Sequence, residues 1–218
     1  MDLPVWQALT EELADEAFVV IAVSFDTRAP EQSRPWIEAA NPTYPCLLDP
    51  EHEVADLYNM VNVPNAVWID EDGRIVRPSE TAGTGDEFRT MMDPGGIAPD
   101  DLTRMMKRRE AYVNAIKDWV RNGTNATSPT DRAHSPADAL AFAHFRFGTW
   151  LAREGRDDES REQLAEARRL KPDSWAFKRQ SWELEEVGKA GGPDFWAAVA
   201  ALGDDAYYPA PEMDGLEA

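Results

Sequence analysis

The sequence contains a single cysteine, Cys46, among its 218 residues. One cysteine cannot form a disulfide within the chain. The three histidines, His52, His134 and His144, are too scattered along the sequence to indicate a zinc site. We expect each of them to be a surface or packed side chain rather than a ligand. The sequence therefore predicts no internal disulfide, no metal site and no cofactor.

Basic residues and long apolar runs are also scarce. The chain has 22 Lys and Arg against 41 Asp and Glu, which gives a net charge of -19 and a pI of about 4.5. Such a chain repels nucleic acid phosphates and anionic lipid, so neither is expected as a partner. No apolar run approaches the ~20 residues of a membrane helix, and the N-terminus lacks the basic and apolar regions of a secretory signal. As written, the sequence predicts a cytoplasmic protein.

The pattern of apolar residues divides the chain into a mixed α/β part and a helical part. Residues 3–17 have a helical period, and the continuous apolar run 18–26 is typical of a central parallel strand buried on both faces. Further helical signals cover residues 30–40, 51–60 and 100–121. We predict a first domain at 1–121, a polar linker at 122–136 and a helical region with a tail at 137–218.

The stretch "VNVPNAVWIDEDGRIV", residues 61–76, has the pattern of a hairpin. The apolar run Ala66–Ile69 follows Pro64, and a second run, Arg74–Val76, follows the acidic turn Asp70–Gly73. This alternation predicts a strand led by proline, a tight turn and an antiparallel return strand.

The order of these features resembles the redoxin branch of the thioredoxin-like superfamily. A helix, a strand ending in "SFD", the segment "YPCLLDP", a short helix and the hairpin follow one another between about Asp2 and Val120. The resemblance implies a three-layer thioredoxin-like α/β domain. It also implies a cis peptide bond before Pro64 and a substrate-binding surface at Val63, Pro64 and Asn65. Asn65 stands where threonine is common in the family.

The resemblance also implies a Cys-x-x-C pair, which this sequence lacks. Cys46 has the Thr-x-x-Cys spacing of a peroxidatic cysteine, but in peroxiredoxins that cysteine precedes the strand ending in Ser-x-Asp, whereas here it follows. The acidic residues Asp49, Glu51 and Glu53 do not favour a thiolate. We interpret Cys46 as a small, half-buried apolar residue, and a redox role for it is kept as a weaker alternative.

The segment His144–Pro172 resembles one tetratricopeptide unit. Gly148 and Gly155 fit the first helix and the turn, and Ser160 stands where a small alanine is usual. One such unit buries too little apolar surface to be stable alone. We therefore expect residues 137–202 to pack on the first domain.

Two functions fit these features. The first is a thiol-disulfide oxidoreductase acting on protein or peptide substrates. Because Pro4 matches a family proline five residues after the second cysteine, the missing strand and its Cys-x-x-C are expected upstream of Met1. The second is a non-catalytic binding module in which the thioredoxin-like and tetratricopeptide-like parts hold a partner protein. A strand from a second copy, or from the tail near Tyr207, is the alternative way to fill the sheet, so a homodimer is left open.

Overall fold

The computed structural model describes residues 3–91, 94–126, 135–209 and 211. The chain divides into two compact units, each built from an earlier and a later segment: residues 1–61 with 133–190, and residues 62–132 with 191–218. The division into a domain at 1–121, a linker at 122–136 and a helical region at 137–218 stays a prediction. Residues 127–134 of the predicted linker, including His134, lie outside the described residues.

The first unit combines the N-terminal α/β elements with most of the C-terminal helices. Its strands are β1, Ala22–Ser24, and β2, Cys46–Leu48, which pair in parallel. Its helices are α1 Leu3–Glu12, α2 Arg34–Ala40, α3 Glu53–Leu57, α5 Pro136–Arg153, α6 Asp157–Leu170 and α7 Trp175–Glu185. A 3-10 turn at Lys189–Gly191 includes the last residues of this unit and the first residue of the next segment.

The apolar run 18–26 does not form the long buried strand that the sequence predicts. Only Ala22–Ser24 is a strand, and all three residues are half-buried. Val19 and Ile21, just before it, are 63% and 56% exposed. Among the described residues β1 has one neighbour, β2, on one edge. A β-branched run of this kind is buried on both faces when helices cover both faces of its sheet, and here the side chains of Val19 and Ile21 are left largely uncovered.

A shared apolar core joins the early and late segments of the first unit. Phe25 and Ala55 pack with side chains from three helices, namely Phe142, Phe145, Leu164, Ala167 and Phe177. Phe145 and Phe177 stack with ring centroids 4.4 Å apart. The backbone N–H of Ala176 also donates to the carbonyl oxygen of Val61 at 3.0 Å. This core agrees with the prediction that the helical region packs on the first part of the chain.

Helices α5 and α6 approach closely at Gly148. A Cβ at this position would lie 2.8 Å from Leu164 Cγ, so only glycine fits. The hydroxyl of Ser160 donates to the Gly148 carbonyl oxygen at 2.8 Å. Ser160 thus takes the place of a small apolar residue and adds a hydrogen bond within the pair. The resemblance of this pair to a tetratricopeptide unit stays a prediction.

The second unit is built around the hairpin. Its strands, β3 Asn65–Ile69 and β4 Ile75–Thr81, pair antiparallel. Gly73 has φ +78° in the turn, and the Asp70 carboxylate accepts hydrogen bonds from the N–H groups of Asp72 and Arg74. The other elements are a 3-10 turn at Asp86–Thr90 and the helices α4 Pro99–Asn122 and α8 Pro193–Ala200. The predicted hairpin and the predicted helix at 100–121 are confirmed.

A buried polar network fixes the hairpin against α4. Arg77 donates to both carboxylate oxygens of Glu80 at 2.8 and 2.7 Å, and its guanidinium lies 5.2 Å from the centroid of the Trp68 ring. The Trp68 indole N–H donates to the Tyr112 hydroxyl at 3.0 Å. Burial together with the Glu80 carboxylate raises the pKa of Tyr112 well above its usual range. A buried charge is costly unless it is paired, so Arg77 and Glu80 must keep this contact. The hydrogen bond from Trp68 to Tyr112 then fixes the hairpin on α4.

None of the described helices combines the length and the apolar character needed to cross a bilayer.

Candidate functional site

The proline loop, residues Asn62–Asn65, leads into the hairpin. The Val63–Pro64 peptide bond is cis. The Pro64 carbonyl oxygen accepts a hydrogen bond from the Ala82 N–H at 3.2 Å, just beyond the end of β4. The Asn62 side-chain oxygen accepts from the Val63 N–H at 2.9 Å. The loop is therefore held by the hairpin on one side and by its own first residue on the other.

Asn65 contributes to the loop itself. Its amide is best satisfied with the oxygen accepting from the Ser79 hydroxyl at 2.8 Å. Its nitrogen then donates to the carbonyl oxygens of Pro64 and Asn62 at 3.1 and 3.3 Å. The sequence assigns Asn65 to the substrate-binding surface. In this geometry its side chain is used to order the loop, and the Val63 carbonyl oxygen is the backbone group of Val63 and Pro64 that contacts a segment outside the loop and hairpin.

A C-terminal segment lies against this loop. The Tyr208 hydroxyl donates to the Val63 carbonyl oxygen at 2.8 Å, and the Asn62 amide donates to the Tyr207 carbonyl oxygen at 3.0 Å. The Thr81 hydroxyl, at the end of β4, donates to the Pro209 carbonyl oxygen at 3.0 Å. The tail segment, defined as Tyr207–Pro209, is therefore bound through both its backbone and a side chain.

Asp86 completes the set of contacts to the tail segment. Its two carboxylate oxygens accept from the backbone N–H groups of Tyr207 and Tyr208, each at 2.8 Å. The Phe88 ring meets the Tyr207 ring edge-on at 4.9 Å between centroids. The tail segment is not a strand, so it does not supply the strand near Tyr207 that was one of the alternatives for filling the first sheet. Its polar groups are taken up by the proline loop and by Asp86 instead.

Cys46 lies in the first unit, on β2 beside Ala22 of β1. It lines an open cleft of about 300 Å³ together with Leu3, Trp36 and Ile37. Burial raises the pKa of the Cys46 thiol above its ordinary value. A raised pKa favours the thiol over the nucleophilic thiolate, so the geometry gives no support to a redox role for this residue.

The acidic residue closest to Cys46 in the segment "YPCLLDP" has a structural role. The carboxylate of Asp49 accepts hydrogen bonds from the backbone N–H groups of Glu53 and Val54 at 2.8 Å each, at the start of α3. Asp49 thus satisfies N–H groups that a helix leaves free at its first turn. Within the described residues no group of three His, Cys, Asp or Glu side chains is arranged to hold a metal ion.

Part of this site is predicted by the sequence and part of it is not. The Val63 carbonyl oxygen contacts the tail segment, and Cys46 lies in the other compact unit. The assignment of Val63, Pro64 and Asn65 to a substrate-binding surface stays a prediction. Asn62, Thr81, Asp86 and the tail segment were missed. A signal in the sequence is the aromatic pair of Tyr207 and Tyr208, which is followed by Pro209 in an acidic end of the chain.

Comparison with known proteins finds a family similarity over the first third of the chain. Residues 2–77 match the model of the AhpC/TSA family. This match places that segment in the redoxin branch of the thioredoxin-like superfamily, and it includes Cys46, the proline loop and β3. No curated protein and no solved structure matches the chain.

Proposed function

We propose that this chain belongs to a redoxin-type thiol-disulfide oxidoreductase whose Cys-x-x-C pair lies upstream of Met1. The family match supports redoxin-type thiol chemistry in general. The finer proposal assigns the substrate-binding surface to Val63, Pro64 and Asn65. The substrate is an extended, disulfide-bearing segment of a protein or peptide.

The observation that carries this proposal is that β1 pairs with a described strand along only one of its two edges. The Ala22 N–H donates to the Pro45 carbonyl oxygen, and the Ser24 carbonyl oxygen accepts from the Asp49 N–H. Backbone groups alternate between the two edges of a strand, so those of Val23 face the edge where no described strand pairs. The family resemblance implies that the strand preceding Cys-x-x-C occupies this edge. The proposal therefore accounts for two features together, the unpaired edge of β1 among the described strands and the lack of a Cys-x-x-C pair in the sequence.

The reaction follows ordinary thiol-disulfide exchange. The thiolate of the first cysteine attacks a sulfur of the substrate disulfide, forming a mixed disulfide and releasing one substrate thiolate, which takes up a proton. The second cysteine then attacks the mixed disulfide and releases the other substrate sulfur. The substrate disulfide gains two electrons, and the cysteine pair loses two and becomes a disulfide. An external dithiol such as dithiothreitol returns the pair to its reduced form.

An insulin-reduction assay with dithiothreitol tests the proposal. We expect the 218-residue chain to be inactive, and the product of a longer reading frame carrying the upstream strand and Cys-x-x-C to accelerate the reaction. Serine at the first cysteine of that pair should abolish the acceleration, whereas Cys46→Ser should leave it unchanged. A stop codon immediately upstream of Met1, or activity of the 218-residue chain that is lost in Cys46→Ser, would overturn the proposal.

A second candidate is a non-catalytic binding module. It is favoured by one observation, which is that the surface beside Pro64 already holds a segment of chain without any thiol taking part. In this case the partner is a protein, and a second copy of the chain is one such partner. Binding of a partner by a reading frame that lacks any Cys-x-x-C would support it over the enzyme.

A further inference from the structure

We propose that the surface around the proline loop is a peptide-recognition site, that the tail segment Tyr207–Pro209 is its resident ligand, and that an external ligand is a short peptide with two adjacent aromatic residues that adopts the same bent backbone. The placement of this site on the substrate surface rests on the proposed function. The recognition itself is carried by contacts within the second unit alone.

Most of the recognition is directed at backbone groups. The site engages two N–H groups and two carbonyl groups of three consecutive residues, through Asp86, Asn62 and Thr81. Contacts to backbone give affinity for any chain that adopts the same backbone shape, and they carry little sequence information. The two hydrogen bonds to the Asp86 carboxylate are the strongest of the set, since hydrogen bonds to a charged acceptor are about twice as strong as neutral ones.

The aromatic side chains supply the specificity. Tyr207 is buried, with its ring 4.9 Å from Phe88 and 6.0 Å from Phe195 between centroids. Tyr208 is half-buried, lies 5.6 Å from Phe88, and reaches the Val63 carbonyl with its hydroxyl. The site thus takes one aromatic ring into an aromatic pocket and reads a hydroxyl on the next residue. This pattern favours an aromatic residue followed by tyrosine.

Resident and external ligands must compete, because the Val63 carbonyl and the Asp86 carboxylate are occupied by the tail segment. A tethered segment acts at an effective concentration of millimolar order. An external peptide of the same sequence therefore binds poorly to the full chain until the tail is weakened. The tail and a partner segment are alternatives for one site.

A labelled peptide tests the competition directly. The probe is fluorescein-labelled DDAYYPAP, the sequence of residues 204–211, followed by fluorescence anisotropy with the full chain and its variants. Tyr208→Ala in the protein removes the hydroxyl and ring contacts of the resident tail and leaves the site intact. We expect this variant to bind the probe at least tenfold more tightly than the unmodified chain. Tyr208→Phe should give a smaller gain of about threefold, since one neutral hydrogen bond contributes about 0.5–1.5 kcal/mol.

A change in the site should reverse the gain. Adding Asp86→Asn to Tyr208→Ala should weaken probe binding about tenfold, because an amide oxygen accepts without charge. Tyr58→Phe, a tyrosine of the first unit, is the matched control and should behave as the unmodified chain. Equal binding by the unmodified chain and Tyr208→Ala, or no effect of Asp86→Asn, would overturn the proposal.

Hydrogen exchange gives a second measurement that does not depend on the probe. In the otherwise unmodified chain, Asp86→Asn should speed exchange of the Tyr207 and Tyr208 amides at least tenfold. The exposed Asp204→Asn, which removes the same charge, should leave those rates unchanged. Equal exchange rates in the two variants would show that Asp86 does not hold the tail. Both measurements report binding without thiol chemistry, so a failure here is separate from a failure of the insulin assay.

Discussion

At the scale of single residues, His52 links stability to pH. Its ring is fully buried between Phe25 and Phe145, with centroids 5.6 and 4.7 Å away. Burial lowers the pKa of His52 to about 4, and the nearby carboxylates of Asp49 and Glu51 offset only part of that effect. The unfolded chain binds a proton at this residue below about pH 6.5, whereas the folded chain does so only below about pH 4.

The resulting pH dependence has a definite sign. The contribution of His52 to folding is complete above pH 6.5 and is lost as the pH falls towards 4, because the unfolded state gains protons first. The loss is on the order of 3 kcal/mol. His52→Leu should reduce the difference in unfolding free energy between about pH 7 and about pH 4.5, measured by urea denaturation. His144→Gln, at a partly buried histidine hydrogen-bonded to Gln163, is the control. An unchanged pH slope in His52→Leu would contradict this account.

A second residue-scale prediction concerns Lys171 and Asp138. The Lys171 side chain is only 4% exposed, and its ammonium donates to Asp138 at 2.7 Å. Asp138 also completes the capping box of Ser135 at the start of α5. Burial alone would raise the pKa of Asp138, but hydrogen bonds from Lys171 and Ser135 outweigh it and lower the pKa to about 2.

Removing Asp138 should therefore cost more than removing the cap alone. Asp138→Ala leaves a buried ammonium without its close partner, and we expect a loss of about 3 kcal/mol in unfolding free energy. Ser135→Ala, which removes only a capping hydroxyl, should cost about 1 kcal/mol. The stabilisation of the fold by the Asp138 carboxylate is present above pH 3.8 and declines as the pH falls towards 2. Equal losses for the two variants in urea denaturation at about pH 7 would argue against the buried pair.

At the scale of secondary-structure elements, the close contact of α5 with α6 depends on the absence of a side chain at Gly148. Alanine usually stabilises a helix relative to glycine by about 1 kcal/mol. At Gly148 the new Cβ would meet Leu164 Cγ and Cδ2 at 2.8 and 2.9 Å, closer than packed atoms approach. Gly148→Ala should therefore lower the unfolding free energy by about 2 kcal/mol. Gly191→Ala, where a Cβ meets nothing within 4 Å, is the control. A higher unfolding free energy for Gly148→Ala than for the unmodified chain would contradict this account, because it would show that α6 shifts away from α5 at no cost.

Elements whose signals are local could be predicted from the sequence, and elements that depend on distant partners could not. Helix α4 begins at Pro99 and ends before Gly123, and both ends are marked by local residue types. The hairpin likewise follows from its alternation and its Asp70–Gly73 turn. Strand β1 is shorter than predicted because a strand depends on pairing with a partner, and only Ala22–Ser24 pair with β2. The contact of Asp86 with Tyr207 joins residues 121 positions apart, and no local pattern encodes such a contact.

Across the chain as a whole, the excess of acidic residues sets how stability responds to salt. Most ion pairs at the surface are weak, and the chain carries 41 acids against 22 bases. The buried pair of Arg77 and Glu80 is shielded from solvent ions, so salt acts mainly on the unbalanced surface charge. That charge of -19 repels itself more strongly in the compact state than in the expanded one.

Raising the ionic strength should therefore stabilise the fold. Between about 0.01 M and 1 M the Debye length falls from about 30 Å to about 3 Å, so repulsion between surface carboxylates is largely screened. We expect the midpoint of thermal unfolding to rise by about 3 °C, which for a chain of this size corresponds to about 1 kcal/mol. Sodium chloride and potassium chloride should act equally, because the effect depends on ionic strength and not on a bound ion. Sucrose at matched osmolality controls for solvent exclusion. A midpoint of thermal unfolding that falls with salt would mean that favourable surface ion pairs outweigh the net repulsion. In that case the acidic residues would lie close enough to the 22 basic residues for attraction to exceed the repulsion among the acids.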